Sequence, residues 1–207
     1  MQNSQPVKLM AHLAAQTEYP APHLPRLDGD PVAAAALTRQ ALGLAPDRPI
    51  GPLIRTLERS GIWVLAIPVP LPQRDACSAW AGGDGATPVL VVAATPAGDR
   101  RRFSVAHELG HLVLHHVPQA PPHALEQQAD AFAEAFLLPA AAMREALVPP
   151  ITLTTLADLK ARWGVSLQAL IRRALTLECV TPSQHRPLSA PLGARGRRPR
   201  EPIVVPV

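Results

Sequence analysis

Apolar residues change their period several times along the chain, and each change predicts an element. Asp30-Pro31 supplies a helix cap with proline at the first helical position. The alanine-rich run after it predicts a helix through about Leu44. Gly51-Pro52 opens a second helix with Leu53, Ile54 and Leu57 on one stripe, and Gly61 stops it. Ile62–Ile67 reads as a strand, ended by Pro68, Pro70 and Pro72. Cys77–Trp80 reads as a second short strand, and Gly82-Gly83-Asp84-Gly85 as a turn. Val89–Ala93 is apolar at every position, which predicts a strand covered on both faces.

The second half is helical. One helix is expected to start near Phe103 or Ser104, with Ser104 as its cap, and to end near His116 before Pro118. Another runs from about His123 to Leu138, with Leu125, Ala129, Phe132 and Phe136 at helical spacing and Pro139 as its stop. Leu153–Trp163 and Ser166–Leu175 form a helical pair joined at Gly164. The pattern gives an α+β domain over residues 30–181, a small sheet packed on helices, ending in a helix-turn-helix-like pair at 153–176. Residues 1–29 read as a flexible arm and 182–207 as a disordered Pro/Arg-rich tail. No internal repeat is visible.

Composition sharpens this picture. The chain has 207 residues, 47% hydrophobic but only 3% aromatic, so its core is built mainly from Ala, Leu and Val. Twenty-five prolines crowd toward the two ends. No run of about 18 apolar residues occurs, so no membrane span is expected. The N-terminal residues lack the basic and apolar regions of a secretory signal. Cys77 and Cys179 make no disulfide framework, which points to the reducing cytoplasm. The net charge of +4 equals five arginines (186, 195, 197, 198, 200) less Glu201, all beyond residue 184. The basic character describes the tail, read as solvated chain, with contact to nucleic acid or acidic protein as the alternative.

The chemistry is concentrated in His107-Glu108-Leu109-Gly110-His111. Residues four apart on a helix share a face, so His107 and His111 can direct two imidazoles at one metal ion. Glu108 is rotated by about 100° from His107, placing its carboxylate where it can act as general base. A catalytic zinc site has three protein ligands. A third histidine ten positions after His107 would fall at Val117, so the metzincin extension is absent. Glu126 and Asp130 lie four apart on the following helix. Glu126 is the first choice for third ligand, with Asp130 accepting a hydrogen bond from a ligand histidine behind it. Glu134, two turns further on, is the rival. Gly110 sits at a costly helix-interior position between the histidines, which predicts close approach of a neighbouring element.

Two blocks, Arg102 through His111 and Glu126 through Ala133 with Leu137-Leu138-Pro139, resemble the ImmA/IrrE metallopeptidases over about residues 32–178. The resemblance implies a zincin-like, gluzincin-type fold. Zinc would be held by His107, His111 and Glu126, with Glu108 as catalytic base and proton donor; manganese or iron also suits such a donor set. It further implies cleavage of a helix-turn-helix transcriptional repressor, in DNA-damage response or mobile-element control. One departure is that no motif residue supplies an oxyanion donor: the only tyrosine is Tyr19, leaving Arg101, Arg102 and His123 as candidates.

Several residues carry two readings. His115 is a fourth ligand or, as favoured, a histidine at the negative helix end. Cys77 is an inhibitory thiolate or, as favoured, a small buried hydrophobe. Trp80 belongs to the core or to a substrate edge. An extended substrate is expected to add to the sheet near Trp80 or Val89–Ala93. Arg172 and Arg173 could read DNA from a recognition helix, or the pair simply packs, the favoured reading. The overall expectation is a zinc peptidase acting on a protein regulator. The alternative is a DNA- or protein-binding regulator with a structural or vestigial metal site.

Overall fold

The computed structural model describes residues 21–68, 75–81, 86–93, 98–116 and 120–193. In chain order the elements are α1 (Pro31–Ala41), α2 (Leu53–Arg59), β1 (Trp63–Ile67), β2 (Ala76–Ala81), β3 (Thr87–Ala93), α3 (Gly98–Leu114) and α4 (Pro122–Leu137). They continue with α5 (Ala140–Ala146), α6 (Leu153–Trp163), α7 (Leu167–Thr176) and α8 (Pro182–Gly193). The architecture is α+β, as expected: three strands against a helical layer.

Local chemistry explains the helix starts and stops. The Asp30 carboxylate accepts from the Ala33 amide at 2.8 Å, capping α1. Thr152 and Ser166 do the same for α6 and α7, each at 3.1 Å. Gly164 ends α6 in the left-handed region, φ 66°, where a side chain would be strained.

The sheet has the order β1-β3-β2, with β1 parallel and β2 antiparallel to β3. Side chains alternate across it. Ala76, Leu90 and Val92 face the helices and join the main core. Cys77, Val89 and Val91 form a second apolar cluster on the other face. β3 is therefore covered on both faces, as its sequence predicts. It is also the central strand, so the expectation that substrate adds at Val89–Ala93 is corrected: its backbone groups are already paired on both sides. Among the described residues β2 and β1 are the edges.

Helix α3 begins at Gly98, not near Ser104, and Ser104 is not a cap. Residues 98–102 show no apolar period, but Asp99 organises them. Its carboxylate accepts from the Arg100 amide at 2.8 Å and from the buried Lys160 ammonium of α6. An acid in the first turn also complements the helix dipole. The sequence reading also misses α5, a short alanine-rich turn of helix starting after Pro139, with Ala142 and Met143 buried.

Two arginines fix the far end of α4. Arg39 of α1 donates to the Phe136 carbonyl at 2.6 Å, and Arg173 of α7 to the Leu138 carbonyl at 2.9 Å. Both meet the carbonyls that a helix end leaves unpaired. At its centre α4 lies close against α3: a Cβ on Gly110 would sit 3.0 Å from Phe132 Cδ1 and 3.2 Å from its Cβ and Cγ. That is the close approach the glycine predicts.

The chain ends depart from expectation where they are described. Residues 21–29 are irregular but tied down: the His23 amide donates to the Ser60 carbonyl at 3.0 Å, that of Leu27 to Val113 at 2.9 Å, and Leu24 is buried. The expected tail begins as α8, with Leu188 against the core. Residues 1–20 and 194–207, the rest of the arm and tail, lie outside the described residues. No helix among the described residues is long and apolar enough to cross a membrane.

Candidate metal centre

Helix α3 presents His107 and His111 one turn apart, and the first half of α4 crosses them with Glu126. His107 Nε2 is 3.1 Å from His111 Nε2 and 3.1 Å from a Glu126 carboxylate oxygen; His111 Nε2 is 3.7 Å from the other. Two ligands on a tetrahedral zinc, each about 2.0–2.1 Å from it, lie roughly 3.3 Å apart. The three side chains thus bracket the spacing such an ion demands, and their donor atoms all lie within 4.8 Å of one another. Two imidazoles and a carboxylate suit zinc and also manganese or iron. His107 and His111 are partly buried, whereas Glu126 is half exposed.

Asp130 lies behind His107, its carboxylate 2.9 Å from Nδ1. Burial pulls the His107 pKa down, but the Asp130 hydrogen bond and the charges of Asp130, Glu108 and Glu126 outweigh it and hold it above the usual histidine value. The same hydrogen bond, against opposing burial, holds the Asp130 carboxyl below its ordinary range, with help from His107, Arg172 and His111. Glu134, the rival ligand, is placed elsewhere. It is buried and pairs with Arg172 of α7. Burial pushes its pKa up while Arg172 and Arg173 pull it back.

Glu108 is nearly buried, and the Ser78 hydroxyl of β2 donates to its carboxylate at 2.6 Å. Beside them is a cleft of about 440 Å³, with Ser78, Trp80, Glu108, His111, His115 and His116 on its walls. Trp80 occupies both roles left open for it. Its indole donates to the Leu112 carbonyl at 2.9 Å, anchoring β2 to α3, while its ring lines the cleft with Arg26 stacked over it at 3.8 Å.

Other expectations sort by position. Cys77 is buried in the apolar cluster on the far face of the sheet, as its apolar reading predicts, although it also borders the cleft. Arg102 donates to the Ile50 and Gly51 carbonyls, and its burial lowers its pKa to about 10. Among the described residues, Arg101, Arg102 and His123 are not on the cleft walls, so none gains support as an oxyanion donor. His115 does not join the three-ligand cluster; its Nδ1 lies 2.8 Å from His111 Nδ1 and its Nε2 2.9 Å from the Gln128 amide oxygen. In the helical pair, Arg173 is buried against Leu138, and Arg172 reaches Glu134, Asp130 and the Phe103 ring. Sequence reasoning misses Ser78 and Gln128. The alternation of Ser78 with Trp80 on one strand face is the only signal for the first. For the second it is the helical spacing of Gln128 from Leu125.

The family model for the IrrE N-terminal-like domain, Peptidase_M78, matches residues 57–175, which include every residue of the centre. No curated protein gives a significant match. Among solved structures, a Mycobacterium tuberculosis transcriptional regulator superposes with a TM-score of 0.50 at 24% identity, over 75% of this chain and 48% of its own. At that identity the likeness speaks for the fold alone, and the chain spans about half the length of that protein. The match over more than half of the sequence, centred on the paired histidines and Glu126, settles the family: the chain belongs to the metallopeptidases of the IrrE N-terminal-like domain.

Proposed function

We propose that the protein is a zinc-dependent endopeptidase of gluzincin type that cleaves a protein regulator, most specifically a helix-turn-helix transcriptional repressor. The observation that carries the reading is the convergence of His107 Nε2, His111 Nε2 and the Glu126 carboxylate within 4.8 Å, with Glu108 beside them on an open cleft. A divalent cation bound there supplies Lewis acidity, polarising a carbonyl and acidifying a water. The residues of the chain supply the rest. Glu108 accepts a proton from the attacking water and delivers it to the departing amine. The Ser78 hydroxyl holds that carboxylate in place by donating to one of its oxygens. An extended peptide adds alongside the β2 edge, next to Glu108, in the manner of strand addition.

The repressor substrate, and a role in stress response or mobile-element control, rest on the family resemblance. The competing reading, a DNA-binding regulator, loses support from its own residues. Arg173 of the helical pair is buried against the end of α4, and Arg172, although half exposed, is paired with Glu134 and Asp130. The test is incubation of a helix-turn-helix repressor encoded beside this gene with wild type and Glu108→Gln, with and without zinc. Zinc-dependent cleavage by wild type alone is expected. Equal cleavage by Glu108→Gln would overturn the mechanism, and no cleavage with salt-dependent duplex binding would favour the regulator.

A further inference from the structure

The two histidines of the centre are backed differently. His107 has the Asp130 carboxylate at its outer nitrogen, 2.9 Å away. His111 has another imidazole at its outer nitrogen. Its Nδ1 meets the Nδ1 of His115 at 2.8 Å, and the far nitrogen of His115 meets the Gln128 amide oxygen at 2.9 Å. His115 lies just past the end of α3, its amide still bonded to the His111 carbonyl at 3.0 Å, so its ring is held one helical turn above that of His111.

The chemistry of these groups gives the contacts a direction. An amide oxygen only accepts, so His115 Nε2 carries the proton. A neutral His115 then offers a lone pair at Nδ1. In a 2.8 Å contact between two ring nitrogens one must donate, and that one is His111 Nδ1. The remaining His111 nitrogen, Nε2, is left with its lone pair toward His107 and Glu126, the form needed to bind a cation.

We propose that Gln128 and His115 form a neutral hydrogen-bond relay that locks His111 in its metal-binding tautomer. The pair are positioning residues, which do for His111 without charge what Asp130 does for His107 with one. The relay also explains why a third histidine extends the row 107, 111, 115 without being a ligand. A neutral partner suits this position: Glu108, Glu126 and Asp130 already surround the site, and a further carboxylate would add to their mutual repulsion. The inference rests on the metal-centre reading above.

The test begins with the metal-free wild-type protein. Long-range proton–nitrogen NMR at about pH 8, where free imidazole is neutral, should show His111 protonated at Nδ1 and His115 at Nε2. Zinc affinity, read by competition with a chromogenic chelator, should then fall about tenfold in His115→Phe, the scale typical for loss of such a partner. Gln128→Met, which keeps the shape but removes the acceptor, should lower it several-fold, about 3-fold or more, while Gln128→Glu, which keeps an acceptor, should retain more affinity than Gln128→Met. A His111 protonated at Nε2, or wild-type affinity in His115→Phe, overturns the relay and leaves the centre standing. A wild type that binds no zinc overturns both.

Discussion

Helix α4 carries two glutamates two turns apart, and they do different work. Glu126, on its first half, is half exposed and faces the histidines of α3. Glu134, on its second half, is buried against Arg172 and Arg173 of α7. Residue type does not separate them; the element packed opposite does. The first half of α4 crosses a helix offering nitrogen donors at the mouth of a cleft. The second half is enclosed by arginines that neutralise a buried acid and cap the helix end. A carboxylate that faces imidazoles, which can give up their protons to a metal, is available to a cation, whereas one that faces guanidinium groups already has its partner.

Removing each carboxylate in turn should separate chemistry from stability. Glu126→Ala is expected to weaken zinc binding by about 100-fold or more, beyond the range typical of outer partners, with unfolding in urea little changed for the metal-free protein. Glu134→Ala should do the reverse: a loss of about 2 kcal/mol in the same urea titration, since it strips a buried partner from Arg172 and Arg173, with zinc bound as in wild type once folded. If Glu134→Ala abolished metal binding in the folded protein, the division of α4 would be wrong. A smaller effect is expected from Asp130→Asn, about tenfold in zinc affinity, because the amide supports His107 less well than the carboxylate.

Acidity sharpens the same contrast. His107 must lose its proton to bind a cation, and its pKa lies above 6.5. Zinc affinity should therefore fall as pH drops through that raised value, and Asp130→Asn should move the fall to lower pH. In the metal-free protein the sign reverses. A raised histidine pKa contributes stability below 6.5 that is lost as pH rises through the raised value; a lowered Asp130 pKa contributes stability above 3.8 that is lost on acidification. The pair thus supports the empty fold best between those limits, where metal binds less well. The difference between thermal scans of metal-free wild type and Asp130→Asn should narrow as pH rises beyond 6.5 and through the raised His107 value; a difference that grew with pH would contradict this.

The centre was legible in the sequence because helices impose their spacing on chemistry. His107, His111, Glu126 and Asp130 are each placed by a four-residue step, and Gly110 announced the contact with Phe132. What lay outside that periodicity was not legible. Gly98–Arg102 has no apolar stripe, so the start of α3 was set by Asp99 and its partner Lys160, a pairing over 61 positions. Strand order depends on long-range pairing, so β3 could be recognised as doubly covered but not as central. Ser78 reaches Glu108 across 30 positions by a single hydroxyl, and only its alternation with Trp80 on the strand marks it. Prolines at 182, 187 and 191 read as a broken chain, yet residues 182–193 close into a helix.

X-ray absorption at the zinc edge of the loaded wild-type protein tests the donor set most directly. The expected spectrum has a first shell of nitrogen and oxygen only, with multiple scattering from two imidazoles. A third imidazole would bring His115 into the shell, and sulfur at about 2.3 Å would bring in a cysteine; either result would contradict a centre built from His107, His111 and Glu126.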